Sequence, residues 1–184
     1  MSLRIVVGPM FAGKTTEIQS VVRRSECLGP VLVLTADIDT RYGGDAVISH
    51  DKVAMPARPV AVDALYGVLT WPEFATAKVI VVDEAQFFVG LIDFVTAAVD
   101  RYGKHVVVVG LDGDAERRPF GEVLALAAHA DVIEKKTALC RRCGDGTAAI
   151  FTKAVGRRED RVTVGGANIY EPMCRRHYNN SLII

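Results

Sequence analysis

The chain has no excess of either charge: 22 lysines and arginines are balanced by 22 aspartates and glutamates. A balanced chain has no whole-molecule field to draw it onto nucleic acid or an anionic membrane, so any such contact would need a local patch. No apolar run approaches the roughly 18 residues that a membrane-spanning helix needs. No leader peptide is expected, because Met1-Ser2-Leu3-Arg4 passes straight into a short strand-like segment that a glycine and a lysine interrupt. Cysteine is scarce and unevenly placed, with Cys27 alone, Cys140 and Cys143 close together, and Cys174 near the end. That is not the framework of a secreted disulfide scaffold. Together these absences lead to the expectation of a cytoplasmic protein with neither a membrane nor a nucleic-acid partner.

With 184 residues, half of them hydrophobic, the chain can bury one sizeable core and carry an appendage. The runs RIVVG (4–8), PVLVLT (30–35), KVIVVDE (78–84) and HVVVVGLD (105–112) are continuous and β-branched rather than alternating. Such runs suit strands of a parallel sheet covered on both faces. Ile18, Val21, Val22, Ser25 and Leu28 fall at helical spacing before the stop at Gly29-Pro30. A second helix is expected from about Gln86 to Arg101, ended by Gly103, and a third from Pro119 to about Ala128. The expected fold class is therefore α/β, a P-loop NTPase-like parallel sheet flanked by helices over residues 1–138, followed by a small zinc-containing domain over 139–184. Residues 36–58 read as a long connection without regular structure, and the pieces AAIFTK and DRVTVGG as short strands of the second domain.

Gly8-Pro9-Met10-Phe11-Ala12-Gly13-Lys14-Thr15, followed by Thr16, fits the phosphate-cradle pattern G-x-x-x-x-G-K-[ST] between an expected strand and an expected helix. Its backbone N–H groups and the helix N-terminus would face an anion, Lys14 would reach the outer phosphates, and the Thr15 hydroxyl would join a Mg²⁺ shell. The plain alternative is a glycine-rich turn with a solvated lysine. Asp83, at the end of the buried run VIVVDEAQFF, would hold Mg²⁺ directly or through water, and Glu84 could accept a proton from an attacking hydroxyl. Otherwise both acids merely cap the next helix. Cys140–Cys143 and Cys174–His177 are two ligand pairs of like spacing with 30 residues between them, a closed Cys₃His set for structural Zn²⁺ unless they are ordinary core residues. Cys27 is assigned to packing. The segment between the zinc pairs would be a tethered lid.

Two functions compete on these residues: a small-molecule kinase, and a nucleic-acid-stimulated P-loop ATPase with a zinc finger, since DEAQ is similar to helicase boxes. A helicase-type motor needs two such domains around its cleft, and the chain has room for one.

In order, GPMFAGKTTE, DTRYGG, SHD, DEAQFF, GLDGDAERRPFGE, CRRC…CRRH and GGANIY resemble the successive motifs of the cytosolic-type thymidine kinases. The resemblance implies transfer of the ATP γ-phosphate to the 5′-hydroxyl of thymidine, with deoxyuridine as a further substrate. It assigns Glu84 as the base, Lys14 and Thr15 to phosphate and magnesium, and Asp83 to the metal side. It also places Arg41 near the reacting groups, with Asp39 in the same loop; Arg41 could instead simply partner Asp39. A zinc-anchored lasso would recognise the base through the backbone of Val162, Thr163, Val164 and Gly165. Met10, Phe87, Leu111, Thr152 and Tyr170 would line it. The family pattern departs at Ala115, where an aromatic residue is usual, which would enlarge the base pocket. A homotetramer and feedback binding of dTTP are further implications of the resemblance.

Overall fold

The computed structural model describes residues 1–37, 54–155 and 169–181, and the short strand 46–48; of residues 46–48, 54 and 55 it describes the backbone alone. Six strands, β1 (Ser2–Val7), β2 (Val31–Ala36), β5 (Arg58–Val60), β6 (Val79–Val82), β7 (His105–Gly110) and β8 (Val132–Lys135), form one sheet in the order β5-β2-β6-β7-β1-β8. Every pairing in it is parallel. The connection from β2 to β5 holds a two-stranded antiparallel hairpin of β3 (Ala46–Ile48) and β4 (Ala54–Pro56), where the sequence pattern indicated no regular structure.

The continuous apolar runs have the expected cause: both faces of the sheet are covered, so residues pointing either way are buried. On one face Leu3, Ile5, Leu34, Ile80, Val82 and Val108 pack with Phe74, Phe88, Leu91 and Phe94. On the other, Val6, Val33, Val81, Val107 and Val109 pack against Ile18 and Val21 of helix α1 (Lys14–Ser25). Burying each such side chain contributes about 1.5–3 kcal/mol.

Three expected helices come out differently. The first loosens into a 3₁₀ turn at Glu26–Leu28, which turns Leu28 outward (57% exposed) and leaves Cys27 exposed rather than packed. The second is interrupted: a 3₁₀ turn at Ala85–Phe87 comes first, and only after Gly90, in a left-handed conformation, does a helix run over Leu91–Thr96 and continue as a π-type turn to Arg101. With α2 (Pro72–Thr76) preceding β6, this helix is α3. The third does not form as an α-helix. Pro119 sits instead in an isolated bridge to Gly113, and the apolar residues beyond it make a 3₁₀ turn at Ala125–His129. A bridging proline fixes an extended or turn entry, and that outweighs its helix-start signal here.

The start of α3 is satisfied from 30 residues away. The Glu122 carboxylate accepts the Gly90 N–H at 3.1 Å with Oε1 and the Ile92 N–H at 3.0 Å with Oε2. No side chain at the helix N-cap does this. Glu122→Ala is expected to cost about 1–3 kcal/mol, by loss of the cap and exposure of two donors. Urea unfolding measures it, with a fall in midpoint at unchanged slope as the expected result.

Candidate active site and metal centre

Gly8 leaves β1 at φ 152°, and a Cβ there would lie 2.5 Å from the Lys136 carbonyl oxygen, so the strand exit has room only for glycine. The loop then turns through Phe11 (φ 66°) and Gly13 (φ 74°) into α1, whose N-terminus has no side-chain cap. The donors of its first turn are thereby left to the loop's concave side. Lys14 folds back into this loop, its Nζ donating to the carbonyls of Pro9 at 2.7 Å and Gly8 at 3.2 Å. Burial pulls the Lys14 ammonium below its ordinary value, and the fields of Glu84, Asp83 and Asp112 oppose that pull. The lysine thus sits within the fields of three carboxylates, and Thr15 and Thr16 follow it on the first turn of α1.

Asp83 and Glu84 stand at the end of β6, the second strand from β1. Asp83 is buried at 8% exposure, and its backbone N–H donates to Leu34. Its Oδ1 accepts the Glu84 N–H at 2.8 Å. Glu84 adopts a left-handed backbone conformation, φ 50°, which is uncommon for a residue with a side chain. Gln86, 3% exposed, donates its side-chain amide to Glu84 Oε2 at 2.6 Å. Neither acid is an ordinary helix cap, since α3 starts only at Leu91 and takes its cap from Glu122.

Of the residues expected around the base, Met10 and Thr152 meet directly: the Met10 N–H donates to Thr152 Oγ1 at 2.9 Å. Thr152 lies on β9 (Phe151–Ala154), which pairs antiparallel with β10 (Tyr170–Met173), so Tyr170 belongs to the same two-stranded sheet. Phe87 stacks edge-on against Phe120 at 5.3 Å. The Leu111 N–H donates to the Gln86 side-chain oxygen at 2.9 Å. Arg41, Asp39, Val162, Thr163, Val164 and Gly165, and with them the whole of DRVTVGG, lie outside the described residues.

Sequence reasoning missed Gln86 and Asp112. Asp112 pairs with Lys135 at 2.5 Å and adds its field to that at Lys14. Each lies inside a family motif, Gln86 in DEAQFF and Asp112 in GLDGDAERRPFGE, but the spacing assigned neither a role, because the strand ends that they bridge are far apart in the chain. Ala115 is buried, and its carbonyl accepts the Tyr178 hydroxyl at 2.7 Å. Burial pushes that hydroxyl's pKa up, so it remains a donor.

Cys140, Cys143, Cys174 and His177 come together with one ligand atom each, all within 4.8 Å of one another. His177 Nδ1 lies 3.5 Å from the Cys140 sulfur, 3.3 Å from that of Cys143 and 3.5 Å from that of Cys174. Cys143 and Cys174 are 3.8 Å apart at sulfur, far beyond disulfide bonding. Tetrahedral zinc with ordinary bond lengths would space its ligands by about 3.8 Å between sulfurs and about 3.5 Å between sulfur and nitrogen. These four distances fit a zinc site, and all four positions would be taken by protein, which suits a structural ion. Burial alone would raise the Cys140 thiol, yet hydrogen bonds from the Cys174 N–H, then the His177 ring, then the Cys143 and Arg142 N–H groups bring it down to about 6. Helix α4 (Arg175–Asn180) starts directly at the third ligand and presents the fourth.

The sequence profile of the thymidine kinase family matches residues 1–178. The chain is 41% identical to a thymidine kinase of Oryza sativa subsp. japonica, over 99% of this chain and 68% of the relative. It is 36% identical to the cytosolic thymidine kinase of Homo sapiens, over 96% and 72%. It is also 36% identical to a thymidine kinase of Porphyromonas gingivalis, over 96% and 84%.

The purified chain is expected to carry about one zinc per molecule. Cys143→Ser should reduce that content severalfold and lower the thermal midpoint. Elemental analysis with parallel calorimetry measures both, and full-length chain free of zinc at unchanged stability would remove the metal centre.

Proposed function

Since this chain belongs to the thymidine kinase family, its reaction is the phosphorylation of thymidine, and we propose that the phosphoryl group passes from the γ-position of ATP to the 5′-hydroxyl, with Glu84 as base. The observation that carries this reading is the convergence of Lys14, Asp83 and Glu84, from the ends of two strands, on one phosphate cradle. Glu84 takes the proton of the 5′-hydroxyl as its oxygen bonds to the γ-phosphorus. The bond from that phosphorus to the bridging oxygen breaks, and its electron pair leaves on ADP. Lys14 exchanges the carbonyls of Gly8 and Pro9 for the outer phosphates, while the N–H groups of the loop and of Thr15 and Thr16 hold the inner ones. Asp83, a buried carboxylate within the field of Lys14, and Thr15 would hold Mg²⁺, which neutralises charge on the phosphate oxygens.

The family resemblance supports several finer assignments. Arg41 would counter charge on the transferred oxygens. Met10, Phe87, Leu111, Thr152 and Tyr170 would line the base, and the backbone of Val162–Gly165 would recognise its edge. It also supports a nucleotide-binding domain over 1–138 with a lasso domain over 139–184, a homotetramer, feedback by dTTP and a cytoplasmic setting. No helix among the described residues is long and apolar enough to cross a membrane. The relatives named above are all thymidine kinases, which leaves a nucleic-acid-stimulated ATPase without support.

Glu84→Gln is expected to lower kcat by about 100-fold or more while thymidine affinity stays within about threefold. Mg²⁺- and ATP-dependent formation of dTMP, with calorimetric thymidine binding in parallel, separates the two quantities. Near-normal turnover in this variant would remove Glu84 as the base.

A further inference from the structure

Gln86 is polar and buried, and neither its motif nor its spacing assigns it a role. Both ends of its side chain are spent on fixed partners. The amide nitrogen donates to Glu84 Oε2 at 2.6 Å, and the amide oxygen accepts the Leu111 N–H at 2.9 Å. One partner is the residue read as the base, on the exit from β6, and the other is the first backbone donor past β7. Two glycines make space for this amide and its backbone. A Cβ at Gly110 would lie 2.7 Å from Gln86 Oε1, and one at Gly121 would lie 2.2 Å from the Gln86 carbonyl oxygen. The polarity is fixed too: because Leu111 supplies an N–H, the oxygen must face it, so the NH₂ faces Glu84.

We propose that Gln86 is a positioning residue for phosphoryl transfer: it measures the Glu84 carboxylate against the end of β7 and holds it in the orientation that receives the 5′-hydroxyl proton. The brace acts at a sharp turn: Glu84, with its left-handed backbone (φ 50°), links the end of β6 to the short 3₁₀ turn at Ala85–Phe87, ahead of the α-helix that starts at Leu91. A carboxylate free to rotate would spend much of its time off the line of transfer, and misplacement by about 1 Å costs about 100-fold in rate. The inference rests on the reading of Glu84 as base.

Gln86→Glu separates positioning from mere packing. The introduced carboxyl can still accept the Leu111 N–H, so the structural bond survives. When ionised it has no proton to donate to Glu84. At neutral pH kcat should fall about 10- to 100-fold, with KM for thymidine and for ATP within about threefold. Protonating the introduced carboxyl restores a donor, so the ratio of variant to wild-type kcat should climb as pH is lowered. Gly110→Ala reaches the same amide without altering a site residue. Its Cβ must displace the flexible end of Gln86 but meets the Ala85 and Gln86 nitrogens at an ordinary 3.4 Å. It too should lower kcat with little change in KM, and it reads the proposal even if Gln86→Glu fails to fold. If both variants, or Gly110→Ala alone where the other does not fold, keep kcat within about threefold of wild type while Glu84→Gln is inactive, the positioning role is overturned and the base reading stands. If Glu84→Gln itself retains turnover, the base reading falls and this inference falls with it.

Discussion

The site depends on the parallel register of three neighbouring strands. Val7 of β1 is level with Gly110 of β7, and Val82 of β6 is level with Val108. Parallel strands all end on the same edge of the sheet, so the chain emerges there three times, at Gly8, Asp83 and Leu111, with hydrogen-bond geometry setting the spacing. Ligands of open parallel sheets bind beyond this carboxyl edge because that is where loops from separated segments meet. A one-residue slip of β6 would move Asp83 and Glu84 by a strand step and send their side chains to opposite faces. The buried valines on both faces oppose any such slip.

Charge at that edge is shared among several segments. Lys14 lies within the fields of Glu84, Asp83 and Asp112, and Asp112 is itself paired with Lys135 on β8. Beneath the cradle, Glu17 of α1 contacts Arg4 and Lys136, and Glu134 contacts the same two cations. These partners hold Glu17 below its ordinary carboxylate range against the effect of burial. Pairs this exposed contribute modestly to stability. Their geometric effect is to tie the first helix to the outermost strand, on the side where Gly8 touches Lys136.

Among the described residues, several short links join the Cys/His cluster to this edge. Thr152 accepts a hydrogen bond from Met10 in the cradle, and Tyr178, one residue past His177, donates to Ala115 in the loop after β7. Arg117 lies over the rings of Phe151 and Tyr178 at 5.4 and 4.5 Å, and its Nη1 donates to Asn179. Zinc would thus fix the C-terminal segment as one piece, and these contacts set that piece against the cradle and the loop holding Asp112. Ala115 contributes its backbone to this contact, so an alanine can stand there without loss of the Tyr178 hydrogen bond.

Much of the chemistry was legible in sequence because it depends on local spacing. A cradle needs its glycines, lysine and threonine at set intervals, so Gly8–Thr15 was identifiable without a fold; four soft ligands in two close pairs likewise pointed to one ion. Continuous β-branched runs gave the sheet, since a strand buried on both faces cannot alternate. The helices were less legible. The apolar stripe from Gln86 to Arg101 does exist, but its first residues form a 3₁₀ turn and the α-helix restarts under Glu122, a partner 30 residues from Ile92 that no periodicity encodes. The strand β8 is short, charged and at the edge, so it had no apolar run to show. Residue types and spacings therefore determined which groups could act: a lysine in a cradle, two acids after a strand, three cysteines and a histidine. Only the tertiary structure decided how those groups are held. The bonds that aim them run between strand ends and hairpins that meet through sheet register, and that register is set by burial over the whole sheet.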